Sequence, residues 1–402
     1  MNHDRMTGRY SVSLTFFARR ERGCGETFFI FQVRLPINED CWLGISGVSK
    51  TQGGPAYQTK YKQVASLLTS HGIAVLADLH WTALGSSLAK GQGQLPDRDH
   101  APTMWAQVAA AFKGNPLVLF ELFNEPFPGG GSASTKDWQC WATGSCSGTD
   151  VKFQAAGQQE LVKAVRSTGA TNVILMGGMA WSNDLTHWLD FAPLAADPLQ
   201  QSAAVWHSYA NNACSHKDCW EKTIAKVAAQ VPVVVTEMGH GIQWAVGLME
   251  WIEQQHGSIS YLPWTWNTWG SDSDARAGGK GEALVSDYST GEPTDWGKAV
   301  KSSFAKATIG TATQLLGTTT PPSSSSSSPA SASASASASA GRATDTLLDK
   351  YFCGIYYPSA ADSAAQGLPP CEVVKAVRHP ELKVSSSAHT HTQAGMLSLS
   401  CG

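Results

Sequence analysis

The 402-residue chain reads as an α/β protein, a (β/α)8 TIM barrel whose first strand and helix are missing or atypical, followed by a disordered linker and tail. Three observations predict this. Apolar runs of strand length alternate with segments of helical period, the order of a parallel sheet wrapped by helices. The runs are mostly apolar without alternation, as strands buried on both faces are. Strand after strand also ends in a polar or aromatic residue, and the strand ends are where a barrel keeps its chemistry.

In chain order, residues 28–35 (FFIFQVRL) form the first clear strand, expected to stop at Pro36. Arg34 within it is a charge that must find an anion or stay wet. Residues 57–70 carry Tyr61, Val64, Ala65, Leu67 and Leu68 at helical spacing, and His71-Gly72 closes them. Residues 73–79 (IAVLADL) are a strand leading to His80 and Trp81, and a helix is expected around 103–112. Residues 117–127 (LVLFELFNEPF) begin as a buried strand and break at Asn124-Glu125-Pro126, because proline cannot continue a central ladder. Residues 128–150 read as one long Gly- and Ser-rich loop, 151–167 as a helix and 172–176 as a strand. A short strand at 203–206 delivers His207 and Tyr209, and after a helix at 221–229 the strand PVVVT delivers Glu237. A helix at 244–254 and a last strand at 259–264 complete the pattern, followed by Thr265, Trp266 and Trp269.

That makes seven strands where a closed barrel needs eight. The candidate for the missing one is residues 11–17, but only about ten residues separate it from the next strand, and a parallel crossover needs about a dozen or more. The organisation is therefore an atypical segment at 1–27, a barrel catalytic domain at 28–310, a Ser/Ala/Pro-rich linker at 311–341 and a Cys-containing tail or module remnant at 342–402, poorly ordered.

Composition narrows the function. A net charge of -3 leaves no basic footprint, so nucleic acid is not an expected partner. No stretch reaches the length of a membrane span. Fifteen Trp suit a protein that stacks rings on sugars, although about half are expected in the core. Nine Cys include two close pairs in loop-like stretches, Cys140 with Cys146 and Cys214 with Cys219, read as disulfide clasps. No CxxC pattern occurs, so no zinc site is read. The first residues carry no clear signal peptide, which suggests that the natural start lies elsewhere. Glu125 and Glu237 each end a buried strand at the same end of the sheet, the arrangement that glycoside hydrolysis needs.

Six motifs in order extend that reading: VRLP with Arg34, DLHW with His80, FNEP with Glu125, WHSY with His207 and Tyr209, TEMG with Glu237, and PWTWNTW. Together they resemble glycoside hydrolase family 5 over roughly residues 30–300, and NEDCWLG, DLHW, NNACSHKDCW and WTWNTW look closest to its endoglucanases. The resemblance implies a retaining endo-β-1,4-glucanase working by double displacement, with Glu125 as general acid/base and Glu237 as nucleophile. It places Arg34 and Tyr209 on the Glu237 carboxylate and Asn124 on the sugar 2-hydroxyl, while His80 and His207 orient substrate and acid. Trp264 is the expected sugar platform, Trp266 its near competitor, and Trp81 a subsite aromatic. No metal or organic cofactor is implied. The implied partner is a polysaccharide, the implied state a monomer and the implied location extracellular. A β-mannanase, a β-1,3-glucanase or a catalytically impaired glycan-binding barrel are the alternatives.

Overall fold

The structure is a computed structural model that describes residues 13–19, 27–255, 258–266, 282–287, 291–306, 383–384 and 399–400. Its sheet runs in sequence order: β1 (Ser13–Arg19), β2 (Thr27–Asn38), β3 (Ala74–Trp81), β4 (Val118–Glu121), β5 (Ile174–Gly177), β6 (Ser202–Tyr209), β7 (Val233–Gly239) and β8 (Ile259–Tyr261). From β2 to β8 every neighbouring pair is parallel. β1 pairs antiparallel with β2, from Ser13↔Arg34 to Arg19↔Thr27. The atypical start expected from the sequence is thus a hairpin, since the connection is too short for a parallel crossover.

Among the described strands β8 does not pair with β1, so the seven parallel strands form a curled half-barrel. The curl is deep. Arg34 on β2 reaches Glu237 on β7, and His80 on β3 stacks on Trp264 beyond β8.

Strand parity sorts the side chains. Val75, Ala77, Phe120, Ile174, Met176, Ala204, Trp206, Val233 and Val235 pack outward in the large core under the helices. Leu76, Leu175, Ala203, Val205 and Val234 form a smaller cluster on the concave face, with Leu119 beside it. Two residues further along the same strands, the concave positions become Asp78, Glu121, His207 and Thr236, so an apolar layer carries a polar one above it.

Several boundaries differ from the expectation. β2 runs through Pro36 to Asn38. β1 pairs only as far as Arg34, so beyond it β2 has a partner on one side alone, where a residue without an N–H is tolerated. The loop at 128–150 contains a helix, Thr135–Thr143, started by a capping box between Ser134 and Asp137. The following helix covers only Gln158–Arg166, because Ala155 and its neighbours bond to the segment around Asp97 instead. The last strand stops at Tyr261 rather than 264.

Both expected disulfides are formed, Cys140–Cys146 and Cys214–Cys219. The linker at 311–341 lies outside the described residues. So does the tail at 342–402, apart from the antiparallel pair Lys383–Val384 and Leu399–Ser400. None of the described helices is long and apolar enough to cross a membrane.

Candidate active site

The polar layer is organised by Arg34, which is fully buried. Its guanidinium donates through Nε and Nη2 to both oxygens of Glu121, at 2.7 and 2.9 Å. Nη1 donates to Glu237 Oε1 at 2.7 Å and Nη2 to Asn124 Oδ1 at 2.7 Å. Asp78 Oδ2 lies 3.1 Å from Nη2 and 2.7 Å from His80 Nδ1. Burial disfavours the charge on Arg34, but the surrounding carboxylates outweigh it and keep the guanidinium protonated. Burial likewise opposes ionisation of Glu121, and Arg34 and His207 overcome it, holding that carboxyl down at about 2.

Glu125 follows β4 and Glu237 sits within β7. Between them stands His207, its Nδ1 3.0 Å from Glu125 Oε1 and 3.7 Å from Glu237 Oε2. On its other side Nε2 lies 2.9 Å from Thr236 Oγ1, which itself donates to Glu121 Oε1. Burial alone would strip the proton from His207. The charges of Glu237, Glu121 and Glu125 outweigh burial and raise it to about 10, so both ring nitrogens donate. The two acids diverge. Burial, with the Glu237 charge, raises Glu125 above the usual carboxylate value. Burial also pushes against ionisation of Glu237, but His207 and Arg34 win and lower it. Tyr209, whose phenol is raised well above its ordinary value by burial and nearby carboxylates, donates to Glu237 Oε2 at 2.7 Å.

An oxygen of Glu125, a ring nitrogen of His207 and an oxygen of Glu237 all lie within 4.8 Å of one another. The two carboxyls are shifted in opposite directions, Glu125 towards the protonated form and Glu237 towards the ionised one, which fits proton donation and nucleophilic attack on a single bond.

A family model described as Cellulase (glycosyl hydrolase family 5) matches residues 32–270, more than half of the chain. The chain belongs to glycosyl hydrolase family 5. Endoglucanase E-5 of Thermobifida fusca is 25% identical over 186 residues, 46% of this chain and 34% of that protein. Manganese dependent endoglucanase Eg5A of Phanerodontia chrysosporium is 28% identical over 185 residues, 43% of each chain. The matched stretch spans less than half the length of either relative. The fold is similar to a solved endo-β-1,4-glucanase of Xanthomonas axonopodis pv. citri, at 19% identity and a TM-score of 0.50, covering 70% of this chain and 87% of that one.

Within this family 5 chain, the structure brings Arg34, His80, Asn124, Glu125, His207, Tyr209, Glu237 and Trp264 together. Trp264 stacks on His80 with ring centroids 6.1 Å apart and planes 4° from parallel. Trp81 leans against the same imidazole at 6.0 Å. Trp266 packs against the large core, and because the strand has already ended at Tyr261, strand alternation does not carry it to the face of Trp264.

Sequence reasoning passed over Gln92, Thr236 and Trp181. Gln92 donates to the Glu125 carbonyl at 3.0 Å and accepts from Asn124 Nδ2 at 3.1 Å. Trp181 is 37% exposed, stacks on Phe127 at 5.0 Å and donates its backbone N–H to the Pro126 carbonyl. Ala180, Trp181 and Ser182 all have left-handed backbone, which no apolar pattern announces.

Proposed function

We propose that the chain is a retaining endo-β-1,4-glucanase that cleaves β-glucan by double displacement. The observation that carries this is the spacing of the acids, whose nearest oxygens lie within 4.8 Å. Retaining glycosidases hold their carboxyls about 5–5.5 Å apart, whereas inverting ones need about 6.5–9.5 Å to admit a water. The substrate class rests on family membership and on the relatives named endoglucanases.

In the first step an oxygen of Glu237 attacks the anomeric carbon while Glu125 gives its proton to the departing glycosidic oxygen. Arg34 and Tyr209 hold the Glu237 carboxylate ionised and oriented. The resulting glycosyl ester has no charge, so Glu125 no longer faces an anion and its acidity increases. As a carboxylate it then takes a proton from water, the water oxygen attacks the anomeric carbon, and the bond to Glu237 breaks. Both acids return to their starting state. Acid, base and nucleophile are all side chains. In this reading Trp264, stacked on His80, is the platform for the sugar at the point of cleavage, and Asn124, held by Arg34 and Gln92, meets the 2-hydroxyl. The two disulfides support an extracellular location.

The test is proton NMR of the sugar released first from a soluble β-1,4-glucan, with mannan and β-1,3-glucan as parallel substrates. The β-anomer is expected to form first, from the β-1,4-glucan. An initial α-anomer would refute retention, and release from mannan alone would refute the substrate class.

A further inference from the structure

Away from the catalytic pair, a second polar cluster lies at the foot of the loop that follows β3. Glu39 comes immediately after β2, while Asp97 and His100 lie just before the helix Ala101–Phe112. Each acid uses one oxygen on the backbone: Glu39 Oε2 accepts from the Ala83 N–H at 2.7 Å, and Asp97 Oδ1 from the His100 N–H at 2.8 Å. The other two oxygens, Glu39 Oε1 and Asp97 Oδ2, are buried and receive no donor among the described residues. Both residues have 0% of their surface exposed, and no described Lys or Arg pairs with either. His100 Nδ1 stands 3.5 Å from Asp97 Oδ1 and 3.1 Å from the Ala83 carbonyl. One donor atom from each of Glu39, Asp97 and His100 lies within 4.8 Å of the other two.

We propose that Glu39, Asp97 and His100 bind a divalent first-row cation, Mn2+ or Zn2+. Two buried acids left with undirected oxygens need either a shared proton or a cation, and a histidine with a partly exposed ring beside them supplies a third donor. Donors about 2.1 Å from one ion stand about 3–4 Å apart, so the cluster closes onto an ion with small side-chain movements. Two carboxylates with an imidazole suit Mn2+ or Zn2+ better than Ca2+, which takes about six to eight oxygens. The absence of CxxC spacing does not bear on such a site. Asp99 stands at its outer edge, 3.7 Å from His100 Nδ1, and adds negative potential.

The ion would tie the end of β2 to the turn at Ala83 and to the start of the helix Ala101–Phe112. These are the two ends of the loop whose Gln92 holds the Glu125 carbonyl. The site stands independently of the catalytic assignment.

The full chain, stripped with a chelator and desalted, is titrated calorimetrically with MnCl2, ZnCl2, CaCl2 and MgCl2, with thermal unfolding alongside. One Mn2+ or Zn2+ per chain is expected, raising Tm by about 5–10 °C at a free concentration on the order of 100 Kd. The shift should vanish in Glu39→Gln and persist in Glu237→Gln. If Glu39→Gln does not fold, His100→Gln, with its partly exposed ring, carries the same test. No stoichiometric binding, or an equal shift in Glu39→Gln, would assign the acids a shared proton and overturn the proposal. Binding lost only in Glu237→Gln, or binding of Ca2+ alone, would overturn it as well.

Discussion

Replacing Arg34 by methionine keeps an unbranched stem and removes the only guanidinium among the described residues of the polar layer. Arg34→Met leaves Glu121 without its bidentate partner, Glu237 without one of its two hydrogen bonds and Asp78 facing Glu121. Breaking a buried ion pair by removing one partner costs about 3–5 kcal/mol, because an uncompensated charge stays behind. The pH dependence follows from Glu121. Its carboxyl is depressed to about 2 in the folded chain, so the pairing contributes stability above its unfolded value of about 4.5 and loses it as pH falls from there towards 2. The difference between wild type and Arg34→Met should therefore be about 3–5 kcal/mol at pH 7 and smaller at pH 4 and below. Urea unfolding followed by Trp fluorescence at both pH values measures it. A difference under about 1 kcal/mol at pH 7, or one that does not change with pH, would refute the view that Arg34 compensates the buried acids. The same variant should move the acid limb of kcat/KM to higher pH, since Glu237 loses the Arg34 charge, which with His207 and His80 keeps it ionised.

Glu125→Gln should lower turnover by about 10²–10⁴-fold with an unchanged circular dichroism spectrum, and near-normal turnover would remove Glu125 from the mechanism. In the wild-type chain, His207 contributes stability that is complete below its unfolded value of about 6.5 and is lost as pH rises towards 10, while Glu121 behaves in the opposite sense below about 4.5. A denaturation series across pH should thus peak between about 4.5 and 6.5, and a maximum at pH 8 or above would contradict the charged state of His207. Asn172→Ala removes an amide that donates to the carbonyls of Phe112, Asn115 and Val118, and should cost about 1–3 kcal/mol in urea unfolding.

The strands were legible because burial on both faces leaves a continuous apolar run, and the acids because Pro126 breaks one such run just after Glu125. The order of helix and strand followed from the change of period. What escaped was decided by single contacts. The helix Thr135–Thr143 hides in a Gly- and Ser-rich stretch, and its signal, Ser134 with Asp137 three residues on, is smaller than the composition around it. Strand alternation pairs Trp266 with Trp264 only if β8 runs to 264, and it ends at Tyr261. Gln92 sits in a loop, and its meeting with Asn124 depends on how that loop folds back. The meeting of Glu39 with Asp97 joins positions 58 residues apart, which no local pattern records.

The open edge of the half-barrel and the acid pair are connected through one residue. A closed barrel holds its strand ends in place by hydrogen bonds around the full ring. Here β1 turns back on β2, and among the described strands the ring is not completed. Arg34 crosses the concave face instead, linking β2 to Asp78 on β3, Glu121 on β4 and Glu237 on β7. Strand parity turns Arg34, Asp78 and Glu121 inward, and the register shift between β6 and β7 at Trp206/His207 lets Glu237 join them beside Thr236, where unpaired charge is costly, so the network holds only with cations and carboxylates present together. The same pairing biases protonation: Arg34 lowers Glu121 and Glu237, whereas Glu125, which no guanidinium among the described residues contacts, is raised by burial and the Glu237 charge. The side-chain brace that spans the open fold therefore also drives Glu125 and Glu237 apart in acidity, as the proposed acid and nucleophile require, and a substitution that loosens the brace should disturb that difference.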